Sequence, residues 1–291
     1  MTRHQQYLLG GGAIVAILVI AGIGHIPHAI KRSSAPDAPL PTPVVEAVHT
    51  MTYHALTLST ISPAKELAAA VGTSNVDTVL KLNRIDSDHL VKNMTLTIPD
   101  SFVDFLAYAP FPPLLPDADT VPKLMVVSQR IQAFGIYENG TLVRWGPTST
   151  GKQSTPTPSK LYFTNWKGKK VVSSIDDGWI LPWYFNLDNI EGISMHQYEL
   201  PGIPASHSCI RLTQDDAKWI YDWADQWQLT SDQSTVAHYG TPVLIFGQYA
   251  YGKTRPWKML PNKPSATTVT LDELAPALSD AFPTIAARAQ K

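Results

Sequence analysis

Apolar and polar residues alternate, cluster or recur along this chain in patterns that divide it. From Tyr7 to Ile26 the run YLLGGGAIVAILVIAGIGHI carries no charged side chain, and the uncharged stretch extends from His4 to Ile30. At about 1.5 Å of rise per residue, about 20 such residues cross a bilayer core of roughly 30 Å. Residues 1–32 are therefore predicted to hold a short cytoplasmic tip and a transmembrane anchor. No small-x-small cleavage site follows the run, which favours an anchor over a removed signal. Charge does not orient it, because Arg3 and the amino terminus balance Lys31 and Arg32.

Beyond a Pro/Ala-rich tether at 33–49, residues 50–100 predict strand, helix, helix, strand. YHALTLST alternates like a strand, and Ser62-Pro63 is an N-cap and first-turn pair opening PAKELAAAVG, which ends at Gly72. SNVDTVLKLN reads as a second short helix and MTLTIP as a closing strand. Residues 101–122 form a Pro-rich connector able to wrap on the next domain.

From 123 to 255 the pattern is β-rich, with short strands and turn signals that predict a sandwich or barrel-like core. Asn139-Gly140 marks a hairpin between QAFGIYE and TLVRWGP. Two further strands are expected on either side of a turn at Lys167–Lys169. One helix stands out over 213–227: Thr213 with Asp216 forms a capping-box-like start, and Trp219, Trp223 and Trp227 make a packing stripe. In the C-terminal extension, 256–291, Thr270 and Glu273 could cap a helix, but Pro276 and Pro283 argue against a long one.

Composition narrows the function. The formal charge of −1 excludes a nucleic-acid binder of the usual basic kind. Apolar residues at 44% against 16% charged suffice for a core of ordinary size. One cysteine, Cys209, excludes an internal disulfide. It stands in IPASHSCIRL, with His207 and Arg211 two positions to either side and His196 thirteen residues upstream. A thiol attacks as thiolate and needs a base or a positive environment. His196, at the end of a predicted strand, can meet Cys209 if the Gly/Pro loop folds back. The 213–227 helix begins just after Cys209, so its positive end could lower the thiol pKa. A buried apolar thiol and a zinc ligand are the competing readings. The H-x-C spacing is unusual for zinc and no fourth ligand is evident, so no metal is expected.

The string His196, Gly202, Pro204, Ala205, Ser206, His207, Ser208, Cys209, Ile210, Arg211, Leu212 resembles the signature of the L,D-transpeptidase catalytic domain (YkuD-type), a strand ending in His, a Gly/Pro loop and Ser-His-Gly-Cys-(Ile/Val)-Arg. VSQRIQAFGIYENGTLVRWGPTSTGKQSTPTP is similar to the family's early strands and Thr-Pro stretch, and LPWYFNLDNIEGISMH to its substrate-facing segment. The resemblance implies Cys209 as nucleophile, and His196 as base oriented by the Gln197 carbonyl. It implies an oxyanion hole from the N–H groups of His207, Ser208 and Cys209. Arg211 either binds substrate or braces the loop, and Ser206, Trp183 and Tyr184 face the substrate. Ser208 departs from the family glycine; at φ > 0 it would carry strain. VDTVLKLNRIDSDHLVKNMTLTIP resembles the LysM module, a βααβ fold that binds N-acetylglucosamine-containing glycans, although LSTIS replaces that family's Gly-Asp-Thr turn.

The expected fold is thus mainly β, with one clear helix, preceded by a small α+β LysM-like domain and a transmembrane helix. The implied activity is peptidoglycan L,D-transpeptidation on tetrapeptide stems. It proceeds through a cysteine thioester, with release of D-Ala and formation of a 3→3 crosslink or attachment of another amine, and needs no cofactor. L,D-carboxypeptidation and non-catalytic wall binding are the alternatives. The implied setting is the cytoplasmic membrane, single-pass, with the catalytic part in the periplasm or extracytoplasmic space and peptidoglycan as partner.

Overall fold

The computed structural model describes residues 51–173 and 176–289. The predicted anchor and tether lie outside these; among the described residues no helix is long and apolar enough to cross a membrane. The chain begins with β1 (Tyr53–Thr57), α1 (Pro63–Val71), α2 (Val76–Leu82) and β2 (Thr95–Pro99), the expected βααβ order. The two strands pair antiparallel over the core of Leu58, Leu67, Val79, Ile85, Leu90, Leu96 and Ile98. Pro63 opens α1 as expected, but Ser62 makes no side-chain cap. The Glu66 carboxylate instead ties the preceding loop to the helix, accepting from the N–H groups of Ser59 and Thr60 at 2.8–2.9 Å. Those bonds hold its pKa down at about 2. Asn83 ties α2 to β2: its amide donates to the carbonyls of Val79 and Thr97, and its oxygen accepts from Thr97 N–H.

The larger part has two sheets. β3 (Leu124–Ser128), β4 (Ala133–Glu138), β5 (Thr141–Pro147) and β6 (Leu161–Phe163) belong to one. β7 (Lys167–Val172), β8 (Ile180–Asp188), β9 (Ile193–Gln197) and β10 (Ile210–Leu212) form the other, in the order β10-β9-β8-β7. α3 (Gln214–Trp223), the small hairpin β11 (Gln228–Leu229) and β12 (Val236–His238), and β13 (Pro242–Phe246) come next, and α4 (Leu271–Ala289) ends the described chain. β13 completes the first sheet, β5-β4-β3-β13-β6. Asn139 and Gly140 both have positive φ, as the predicted hairpin turn demands, and a Cβ on Gly140 would meet the Leu115 carbonyl at 2.5 Å.

β3 is buried on both faces, and its alternation defines three layers. Met125 and Val127 point to the second sheet, meeting Phe185, Ile193, Met195 and Ile210. Leu124 and Val126 point the other way, to Tyr108, Phe111 and Leu115 of the connector and to Leu274 and Leu278 of α4. The connector is therefore part of the core.

Three expectations need correction. Lys167–Lys169 is strand, not turn: Lys167 reaches over Phe185 and Tyr221 to donate to the Tyr221 carbonyl at 2.6 Å. The helix over 213–227 stops at Trp223, so Trp227 is outside the stripe. Trp219 and Trp223 stack at 5.4 Å, with Arg144 over the first ring and Lys123 over the second. The C-terminal helix is long despite Pro276 and Pro283. Both prolines sit on its exposed side, where freed carbonyls meet water. Leu274, Leu278, Ala281 and Ile285 are buried on the other side, offsetting the missing backbone bonds. Thr270 accepts from Glu273 N–H at the start, and Arg130 grips Glu273 with two bonds of 2.7–2.8 Å.

All described residues lie in one compact unit, and Arg84 is its joint. This residue, at φ 61 and 2% exposed, donates to the carbonyls of Ile131, Lys81 and Leu82. The rings of Trp145 and Trp257 lie 5.3 and 5.6 Å from its guanidinium. Burial pushes its pKa down to about 9. Arg84→Ala is expected to lower stability by about 2–5 kcal/mol, from a cavity and three carbonyls left short of donors; urea unfolding measures it, and a loss below about 0.5 kcal/mol contradicts this role.

Candidate active site

The second sheet has an apolar face and a polar one. Phe185, Leu187, Ile193, Met195, Ile210 and Leu212 face the core. The intervening residues Tyr184, Asn186, Ser194, His196 and Arg211 take the opposite face. β9 and β10 pair in parallel, Ile210 with Met195 and Arg211 with His196. One step back along the register, Cys209 falls beside Ser194, and the Ser194 hydroxyl lies 3.1 Å from Sγ. The thiol also points to the Gly192 carbonyl at 3.6 Å.

Cys209 and His196 line one cavity of about 40 Å³, bordered also by Trp179, Tyr198, His207 and Arg211. No hydrogen bond joins Sγ to the imidazole among the described residues; the two groups share the cavity instead. Nδ1 of His196 lies 3.0 Å from the Gln197 carbonyl, as expected. Donation there leaves Nε2 as the basic nitrogen. Tyr184 stacks on the imidazole at 6.3 Å and Tyr198 meets it edge-on at 5.9 Å. In this apolar setting burial pushes the His196 pKa down to about 4, and burial raises that of the Cys209 thiol. The resting pair is neutral.

The helix-dipole expectation fails. α3 begins after β10, five residues beyond Cys209, and packs Ala217 and Ile220 into the core on the far face of the sheet. Its field fades within a turn, so desolvation governs the thiol.

The turn before Cys209 is gripped by the Thr-Pro stretch. Thr155 and Thr157 hydroxyls donate to the carbonyls of Ser206 and Ser208 at 3.2 and 2.8 Å. Ala205 and Ser206 N–H groups donate to the Thr150 carbonyl. The N–H groups of His207, Ser208 and Cys209 have no acceptor among the described residues and remain available to an oxyanion. Ser208 has φ 78, the strained region that suits glycine.

Other predicted residues divide. Arg211 lines the cavity but braces the loop, lying 4.5 Å over Tyr198 and reaching the Glu199 carbonyl at 3.5 Å. Ser206 also lines this cavity, and its hydroxyl donates to the Cys209 carbonyl at 2.5 Å, closing the turn. His207 shares the cavity wall with Cys209, and its Nε2 accepts from Lys152 Nζ at 3.0 Å. Trp183 is on the wrong face: alternation in β8 sends it to Tyr221 of α3 and under Lys218. Tyr184, its neighbour, is on the site face and carries Trp166 stacked at 4.9 Å. Sequence reasoning missed Ser194, Lys152, Trp179 and Tyr198. Strand alternation would have found Ser194, two residues before His196.

The thiolate absorbance of the free protein near 240 nm is expected to rise only above the ordinary thiol value of about 8.5. A midpoint below about 7 contradicts the neutral pair. Ser208→Gly, by relieving the positive φ, is expected to raise stability by about 1 kcal/mol in thermal unfolding.

No curated protein matches the chain. Among solved structures, an L,D-transpeptidase from Mycobacterium smegmatis is 20% identical, with TM-score 0.35, over 43% of this chain and 59% of that one. An L,D-transpeptidase (Yku) from Stackebrandtia nassauensis is 21% identical, with TM-score 0.35, over 44% of this chain and 57% of that one. The chain thus spans less than two thirds of either. An L,D-transpeptidase from Mycobacterium tuberculosis H37Rv is 17% identical, with TM-score 0.34, over 68% of this chain and 92% of that one. Residues 122–245, which hold β3 to β10 and the whole thiol-bearing face, match the family model of the YkuD L,D-transpeptidase catalytic domain.

Proposed function

We propose that this protein is a cysteine-dependent peptidoglycan L,D-transpeptidase. The observation that carries the reading is one cavity lined by the chain's single thiol and an imidazole whose Nδ1 faces a backbone carbonyl. It stands inside the segment that matches the catalytic-domain model.

The chemistry balances with these groups alone. The neutral pair means that proton transfer accompanies attack. His196 Nε2 takes the Cys209 proton as Sγ bonds to the carbonyl carbon between meso-diaminopimelate and D-Ala of a tetrapeptide stem. The oxyanion draws on the N–H groups of residues 207–209, which as a class of interaction contribute about 10²–10³ in rate. The imidazolium returns the proton to the departing D-Ala amine as the C–N bond breaks, leaving a thioester. An acceptor amine, deprotonated by His196, then attacks the thioester, and the thiol recovers its proton. A second stem as acceptor gives a 3→3 crosslink. Water as acceptor would give carboxypeptidation.

Two parts of the chain suit a wall enzyme. The βααβ module supports a LysM-like reading, with glycan as its ligand. The uncharged run at 7–26 supports a single-pass anchor holding the catalytic part outside the cytoplasmic membrane.

Incubation of residues 51–291 with purified disaccharide-tetrapeptide is expected to give crosslinked dimers and free D-Ala. Tripeptide with D-Ala and no dimers supports the hydrolytic reading, and no turnover supports wall binding without catalysis. Cys209→Ala is expected to lower turnover by about 10³-fold or more, on the order of a lost covalent nucleophile; retained turnover removes the assignment.

A further inference from the structure

The loop from β9 to β10 carries the chain from His196 to Cys209, and one side of it is held by the β5–β6 connection at Ser149–Lys152. Its other side is held by the N-terminal βααβ module. Asp86 N–H donates to the Leu200 carbonyl at 3.1 Å, and Leu200 N–H donates to Asp86 Oδ2 at 2.8 Å. Ile85 and Pro201 form an antiparallel bridge at the same place. Leu200 is 1% exposed, so its N–H has no water to fall back on. Gly202, at φ 74, is two residues further on, and a Cβ there would meet Ile85 Cγ2 at 2.8 Å. The loop is shaped to admit the module.

The Asp86 carboxylate divides its contacts. Oδ1 caps the short turn at Ser87–His89, accepting from Asp88 N–H, His89 N–H and His89 Nδ1. Oδ2 is left for Leu200. A second route runs in parallel. Arg84, two residues earlier, holds the Ile131 carbonyl. The neighbouring Gln132 side chain accepts from Thr150 N–H and donates to its hydroxyl. The Thr150 carbonyl accepts from Ala205 and Ser206. Residues 84–86 thus bear on both edges of the loop that ends at the thiol.

We propose that Asp86 is a positioning residue for the active-site loop, and that the N-terminal module is a built-in brace of that loop. Asp86 touches no reacting atom. It fixes Leu200, and through it the path on which the 207–209 N–H groups and Sγ are set, where small displacements cost much in rate. The kinetic arm of the test rests on the acyl-transfer reading; the alkylation arm does not.

Two substitutions separate the clamp from the cap. Asp86→Asn keeps the oxygen that caps residues 88 and 89 and turns an NH₂ group toward the Leu200 N–H. Asp86→Ser keeps a capping oxygen too short to reach Leu200. The rate of Cys209 alkylation by iodoacetamide, read by intact mass with the single thiol as sole target, is expected to rise at least threefold in both, well below the melting temperature. With disaccharide-tetrapeptide, kcat is expected to fall at least fivefold with KM within twofold. A role in stability alone lowers the melting temperature and leaves both rates as they were. Folded variants whose alkylation changes less than twofold, or slows, overturn the proposal, as does an unchanged kcat. If the unaltered protein turns over no tetrapeptide, the acyl-transfer reading fails and the alkylation rates alone decide the clamp.

Discussion

Three residues of parallel pairing, Ile210–Leu212 against Met195–Gln197, place the imidazole and the thiol on one face. Parallel neighbours require a crossover, commonly a dozen residues or more and usually helical. Here the crossover is an irregular loop, and an irregular loop near a core must find partners for each backbone donor and acceptor. That requirement explains the surrounding sequence. The Thr-Pro stretch supplies hydroxyls to the carbonyls of Ser206 and Ser208, the Ser149 hydroxyl donates to the Ile203 carbonyl, and Asp86 satisfies Leu200. Elements far apart in sequence converge because a short strand pair cannot hold its own connection.

The same enclosure sets the electrostatics. Ser194, His196 and Asn186 are each no more than 4% exposed, and no carboxylate contacts the imidazole among the described residues. A backbone carbonyl fixes the tautomer without supplying charge. Desolvation then acts on both members of the pair in the direction of neutrality, depressing the imidazolium and raising the thiol. Arg211 favours the thiolate but opposes the imidazolium, so it cannot stabilise both ions of a charge-separated pair. The electrostatics of the site therefore favour a neutral pair over a stored ion pair at rest.

Much of this was legible in the sequence, and the misses have common causes. The NG hairpin, the βααβ order, the Thr213–Asp216 cap and the Gln197 carbonyl behind His196 are local signals, and local signals survive. Trp183 was misplaced because a segment resemblance does not count alternation; neighbours in a strand face opposite ways, and Tyr184 took the site. The length of α4 was misjudged because two prolines were weighed without the apolar face at 274, 278, 281 and 285 that outweighs them. Lys152 and Asp86 were invisible for a different reason. Each meets the loop through a contact spanning 55 or 114 positions, and no periodicity encodes such a distance.

Arg84 and Asp86 make opposite demands within one short turn, and both bear on the same neighbour. A buried guanidinium with no carboxylate partner is tolerable only if carbonyls and ring faces replace its hydration. Three carbonyls and two indoles do so, from α2, the β3–β4 turn, β5 and the 256–258 turn. Because those groups come from both the module and the β core, the cation is comfortable only when the two are seated together. Asp86 is half-buried and gives its second oxygen to the loop. The buried charge therefore makes seating close to all-or-none, and the half-buried one transmits it to the segment between His196 and Cys209. A spacer domain would need neither residue; a module that braces the loop between His196 and Cys209 needs both.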